Sequence, residues 1–200
     1  TKQHKTTLFT ALLTMTELLL YRYSGQDDII VGIPIACRDR KELENQIGFY
    51  INTTAFRTKF TSNDTVETLL KRTGKNMMEV QEHSLYPFSL LMEDIERKGS
   101  LSGNNLFNVM IQIQDTHQGL VQSTDVGQIR ETIMRTNNNI SKFDLTFNFT
   151  LLDNGNYIPV AIEYNTDLFF KETIEKMRDD LLFLLDKVTT DTSLSINEQN

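Results

Sequence analysis

With 200 residues, 39% of them hydrophobic and 24% charged, the chain has the composition of one ordinary globular domain; such a chain buries about 70% of its unfolded surface. Its net charge of −7, with no basic run longer than pairs such as Lys71-Arg72, excludes the clustered cationic surface that nucleic-acid binders need. The single cysteine, Cys37, permits no intrachain disulfide and no apolar run reaches membrane-spanning length, so the expected setting is a reducing cytoplasm without membrane contact.

In chain order, Thr6 to Tyr23 is rich in helix formers, with Leu8, Leu12, Met15, Leu19 and Leu20 at helical spacing and Gly25 as a C-cap. Ile29 to Ala36 is a β-branched run that reads as a buried strand. Cys37, directly behind it, reads as a half-buried structural thiol. Arg38 to Glu44 is a charged loop, and Ile47 to Arg57 reads as a second strand. Asp64-Thr65-Val66-Glu67 has the spacing of a capping box led by Asp64. Val66, Leu69, Leu70, Thr73, Met77 and Val80 then line one helix face, and Pro87 opens a short helix over Phe88 to Arg97.

The second half reads mainly as β. Phe107, Val109, Ile111 and Ile113 alternate with Asn108, Met110, Gln112 and Gln114, and Phe143, Leu145, Phe147, Phe149 and Leu151 alternate with Asp144, Thr146, Asn148 and Thr150. This period of two predicts one apolar and one wet face. The segment from Gln114 to Asn139 is polar and loop-rich, with a weak strand at Ile129 to Met134. A hairpin turn is expected at Asp153-Asn154-Gly155-Asn156, with a return strand carrying Ile158, Val160, Ile162 and Tyr164. A last helix spans Lys171 to Thr189, and Ser193 to Asn200 resembles the start of a linker.

Six segments carry a family resemblance. IIVGIPIA is followed by Cys37, Arg38, Asp39 and Arg40, and then by IGFYINTTAFR with Gly48, Asn52 and Arg57 embedded. This pair resembles the carboxyl-terminal half of condensation domains of nonribosomal peptide synthetases, which carry GxP…R and IGxFVNT…R. HSLYPF from His83 resembles the family's HQDYPFE. LFNVMIQIQD from Leu106 resembles LFxVMFxxQN, with Gly103 and Asn105 where Arg and Pro are usual. SKFDL from Ser141 matches as it stands, and EYNTDLF from Glu163 matches EYxTDLF, with Phe170 in place of a following Asp. The segments keep their order from Thr7 to Lys187. The family's catalytic His-His-x-x-x-Asp-Gly motif has no counterpart, because His4, His83 and His117 are all isolated.

The resemblance implies an α/β (α+β) fold like chloramphenicol acetyltransferase, a two-layer sandwich with a mixed sheet and helices packed on one face. It implies a lobe over 1–190 and the start of a linker to a following domain over 191–200. The chain has no starting Met or signal pattern and reads as a piece of a longer protein. The implied parent joins aminoacyl or peptidyl thioesters carried on the phosphopantetheine arms of carrier proteins. The implied partners are the amino-terminal half of the domain, donor and acceptor peptidyl carriers and an adjacent adenylation domain. No metal or directly bound cofactor is implied, and the lobe supplies a tunnel wall and a carrier-docking surface rather than a catalytic residue.

Tyr50, Asn52, His83, Ser141 and Asp144 are the implied tunnel residues, with Asn52, Ser141 and Asp144 expected close together. Three of them have a plainer reading. Asn52 pins a loop to its strand, His83 caps a helix end, and Asp144 is a solvated carboxylate. Three other functions compete. An epimerisation-type relative would carry a GWFT-like segment in place of Gly48-Phe49-Tyr50-Ile51-Asn52-Thr53, and Asn52-Thr53 favours condensation. A self-contained acyltransferase would need His83 or His117 beside an acid. A non-catalytic module would bind carriers without turnover. A lobe missing its other half is also expected to expose an apolar patch.

Overall fold

In a computed structural model, residues 6–99, 105–115, 140–152, 157–190, 192, 193, 195 and 196 are described. His4, His117, the weak strand at 129–134 and the turn at 153–156 lie outside them. The elements are α1 (Leu8–Ser24), β1 (Asp28–Ala36), β2 (Ile51–Lys59), α2 (Val66–Glu82), α3 (Phe88–Arg97), β3 (Val109–Asp115), β4 (Leu145–Leu151), β5 (Val160–Tyr164) and α4 (Lys171–Thr190), with a short 3-10 turn at Lys41–Leu43. The strands form one sheet in the order β2-β1-β3-β4-β5. β1, β3 and β4 run parallel, and the antiparallel strands β2 and β5 close the two sides.

Local chemistry sets the helix ends. Thr7 Oγ1 accepts from the Thr10 N–H at 3.1 Å to start α1, and Gly25 ends it at φ 66°, a left-handed conformation that costs a residue without Cβ little. α2 is capped by Thr65, not by Asp64 as expected. Thr65 Oγ1 accepts from the Thr68 N–H and Thr68 Oγ1 accepts from the Thr65 N–H, a reciprocal box shifted by one residue. Asp64 is displaced from that role by Arg72, which donates to both its oxygens at 3.0 and 2.8 Å.

The core lies between the sheet and α1, α2 and α4. Val31, Ile33, Phe56, Ile111, Phe147 and Phe149 from the sheet meet Leu13, Leu18, Leu69, Leu181 and Leu184 from the helices. α1 is buried nearly all round from Leu12 to Leu20, because α2 and α4 flank it while it rests on the sheet. The other sheet face is not simply wet. An added Cβ at Gly32 would lie 2.2 Å from the Phe107 ring, against which Phe88 packs tilted at 5.4 Å and Phe143 stacks at 5.8 Å. Phe107 and Met110 are buried outside the main cluster. Thr146, expected in water, is only 6% exposed, since the register sets it between Met110 and Glu163.

Past α4 the chain returns to the core. Thr192 O accepts from the Glu67 N–H at 3.0 Å, the Ile196 N–H donates to Asp64 O at 3.2 Å, and Arg22 Nη2 donates to Ile196 O at 2.9 Å. Ile196 is 1% exposed. The expected linker from 191 is therefore, at these residues, part of the packed structure.

Candidate functional site: a projecting apolar wall

The segment between β1 and β2 turns back on itself, and its conformation is set by Arg38. The Arg38 guanidinium lies 4.3 Å from the Tyr50 ring centroid, a cation–π contact, and Nη1 donates to the carbonyls of Leu43 and Gln46. The Tyr50 hydroxyl donates to Gln46 Oε1 at 2.7 Å, and the Cys37 N–H donates to Tyr50 O at 2.6 Å. Residues 47–50 are therefore not strand, as the apolar pattern predicted. They form a held loop, and β2 begins at Ile51. The loop pushes apolar side chains outward: Ile47 is 104% exposed and Phe49 88%.

The turn between α2 and α3 forms the rest of the wall. Asn52 Nδ2 donates to Ser84 O and to Tyr86 O, both at 2.8 Å, and Asn52 Oδ1 accepts from the Phe88 N–H at 3.3 Å. Cys37 Sγ lies 3.5 Å from the same Ser84 carbonyl. These bonds bring Leu85 and Pro87 beside Phe49, Ile51 and Leu43, around an open concavity of about 490 Å³ rimmed by Asp39 and Arg40.

The five sequence-level site residues do not form one cluster. Tyr50 and Asn52 belong to this wall. His83 is the C-cap residue of α2, with its N–H on the carbonyls of Glu79 and Gln81, and it lines a separate groove of about 550 Å³ with Thr54, Glu79, Tyr86 and Leu91. Ser141 Oγ donates to Phe143 O, and Asp144 continues the β4 ladder through Asn108 O and the Asn165 N–H.

The expected meeting of Asn52 with Ser141 and Asp144 fails on register. Asn52 pairs with Ile35 near the end of β1, whereas Asp144 lies level with Ile30 near its start. Five residues along and three strand spacings across separate them by about 20 Å, and alternation puts them on opposite faces. Sequence reasoning missed Arg38, Phe49 and Leu85. The apolar residues from Ile47 to Ile51 are visible in the sequence, but within the run Ile47 to Arg57 they predict strand rather than an outward-facing loop.

A second polar feature sits under the helices. The Glu17 side chain is fully buried, accepts from the Thr58 hydroxyl at 3.0 Å through Oε2, and has no hydrogen-bond partner on Oε1. Burial pushes its carboxyl up to about 8, against the lowering effects of Thr58 and the Arg72 charge. Burial also raises Asp64, but there the Arg72 guanidinium and the Thr61 backbone N–H outweigh it and hold the carboxyl below its ordinary value.

Among the described residues no cluster of His, Cys, Asp and Glu could hold a metal ion, and no helix is long and apolar enough to cross a membrane.

A mixed sheet with helices on its main face is the architecture of the chloramphenicol acetyltransferase-like fold. The family model of the Condensation domain matches residues 1–200. Gramicidin S synthase 2 of Brevibacillus brevis is 36% identical over 193 residues, which are 96% of this chain and 4% of that protein. Among solved structures, the X-domain from teicoplanin biosynthesis superposes with a TM-score of 0.85 at 22% identity, over 100% of this chain and 45% of that one. The condensation domain from the Monacolin K polyketide synthase MokA superposes at 0.79 and 18% identity, over 98% of this chain and 44% of that one. The chain belongs to the condensation domain family.

Proposed function

We propose that this chain is the carboxyl-terminal lobe of a condensation domain in a nonribosomal peptide synthetase. The proposed parent forms an amide between two groups held as thioesters on the phosphopantetheine arms of donor and acceptor carrier proteins, beside an adenylation domain. The acceptor amine nitrogen attacks the donor thioester carbonyl, the C–N bond forms, the C–S bond breaks, and the amine proton ends on the departing sulfur, leaving the donor arm as a free thiol. We assign proton handling to the amino-terminal half, because the three histidines of this sequence are isolated from one another. This lobe supplies a wall that seats the amino-terminal half and so fixes the tunnel in which the two arms meet. Such positioning lowers a barrier by roughly 7–11 kcal/mol in favourable cases.

The observation that carries the reading is the wall itself. Ile47, Phe49, Ile51 and Leu85 are large apolar side chains held in solvent by Arg38 and Asn52. An apolar surface held in one conformation marks an interface. Its proposed occupant is the amino-terminal half, since the chain spans 45% of the solved X-domain it superposes on. We keep Tyr50 and Asn52 in the wall and leave Ser141, Asp144 and His83 outside it.

The test is to express the two halves separately and offer them loaded donor and acceptor carriers. Amide product from the mixture, and none from either half alone, is expected. Turnover by this chain alone would overturn the half-domain reading in favour of a self-contained acyltransferase. Carrier binding by this chain with no turnover in the mixture would favour a non-catalytic binding module.

A further inference from the structure

The structure assigns Asn52 a positioning role: it is a remote cap that locks the α2–α3 turn to β2 and so sets the shape of the wall. This inference rests on the condensation-lobe reading above. α3 starts at Phe88 behind Pro87, and Pro87 offers no side-chain cap. The first N–H groups of a helix need an acceptor from outside it. Here the acceptor is Asn52 Oδ1, contributed from another element 36 residues earlier. The same amide uses both of its N–H groups on Ser84 O and Tyr86 O. One side chain thus satisfies two carbonyls and one N–H of a single turn.

Asparagine suits this arrangement for a chemical reason. Aspartate keeps the acceptor and loses both donors, and its charge would face two carbonyl oxygens. Serine and threonine supply a single donor. Glutamine carries the same atoms one methylene further out. The turn that Asn52 holds presents Leu85 and Pro87 to the same concavity as Phe49 and Ile51. Two segments more than thirty residues apart, IGFYINT and HSLYPF, are therefore one wall with Asn52 as the joint. His83 precedes that turn and faces a different groove.

The test combines a local readout with a functional one. In Asn52→Ala, hydrogen exchange at the Phe88 amide is expected to speed up at least ten-fold, while the amides of Ile111 and Phe147 stay as protected as before. Asn52→Asp, which keeps the acceptor, should hold Phe88 protection within two-fold; it also serves as the test variant where the alanine change blocks folding. Both variants should bind the separately expressed amino-terminal half at least ten-fold more weakly. In the assembled domain kcat should fall while KM for loaded carriers stays constant, and Asn52→Gln should recover part of the loss.

Unchanged Phe88 exchange in Asn52→Ala would overturn the cap. Wild-type binding and wild-type kcat in Asn52→Asp would overturn the positioning role. Failure of the condensation-lobe reading looks different, because the wild-type chain itself would then not bind the amino-terminal half.

Discussion

Phe147 and Phe49 are the same residue in opposite circumstances. Phe147 sits in the middle of β4, fully buried against the helices, whereas Phe49 stands 88% exposed on a loop. The first is placed by alternation in a strand with neighbours on both sides. The second is placed by hydrogen bonds and a cation–π contact made by its neighbours, and nothing among the described residues covers it. One region of the molecule uses apolar side chains to hold itself together, and the other holds apolar side chains ready for something else.

The contrast is sharpest in stability. Phe147→Ala should cost about 3–5 kcal/mol in urea unfolding, while Phe49→Ala should stay within about 0.5 kcal/mol. Phe49→Ala should instead weaken binding to the amino-terminal half. Equal stability losses at the two positions would remove the distinction.

A few kcal/mol should also depend on pH inside the helix-covered core. The Glu17 carboxyl is raised from 4.5 to about 8 in the folded chain. The folded state therefore holds a proton that the unfolded state releases, so stability falls as pH rises from about 4.5 to about 8 and then levels off. Asp64 acts with the opposite sign. Its carboxyl is held down, so its contribution is lost as pH falls below the ordinary carboxylate range. Unfolding at pH 5.5 and 8.5 should show the first effect, and Glu17→Gln should flatten it. A wild-type chain equally stable at both values would mean that Glu17 is ionised in the folded state.

Gly32→Ala probes the opposite sheet face. The new methyl would collide with the Phe107 ring, at a cost of about 1–3 kcal/mol. The double variant with Phe107→Leu should recover part of that loss. If Gly32→Ala is silent, the aromatic cluster on that face is loose and the face behaves as the wet surface that alternation suggested.

The smallest stability effect is expected at Arg38. Arg38→Lys keeps the charge but loses the flat stacking on Tyr50. It should leave unfolding within about 0.5 kcal/mol and raise exchange rates only between residues 41 and 50.

What the sequence made legible follows the same division. Period 3.6 and period 2, with the β-branched run of β1 and the Pro87 start of α3, place four helices and five strands among the described residues, all but the start of β2 near their observed bounds, because those patterns are imposed by the core. Asp64 was mistaken for a cap because local spacing cannot reveal a partner eight residues on that binds it more strongly. Ile47 and Phe49 were mistaken for strand because alternation is equally consistent with apolar side chains that point outward. The supposed nearness of Asn52 and Asp144 depended on strand order and register, which no local pattern encodes. The clamp of Asn52 on Ser84, Tyr86 and Phe88 is likewise a long-range fact, although the plainer reading of Asn52 as a loop pin already had its chemistry right.

The returning tail has a practical consequence for anyone recombining such lobes. Thr192 and Ile196 are bonded to the start of α2 and, through Arg22, to the end of α1, and Ile196 fills part of the core. A junction spliced at residue 190 would replace that plug with foreign sequence and open a hole beside Asp64 and Arg22. A junction placed after Ile196 transplants the domain with its own stopper.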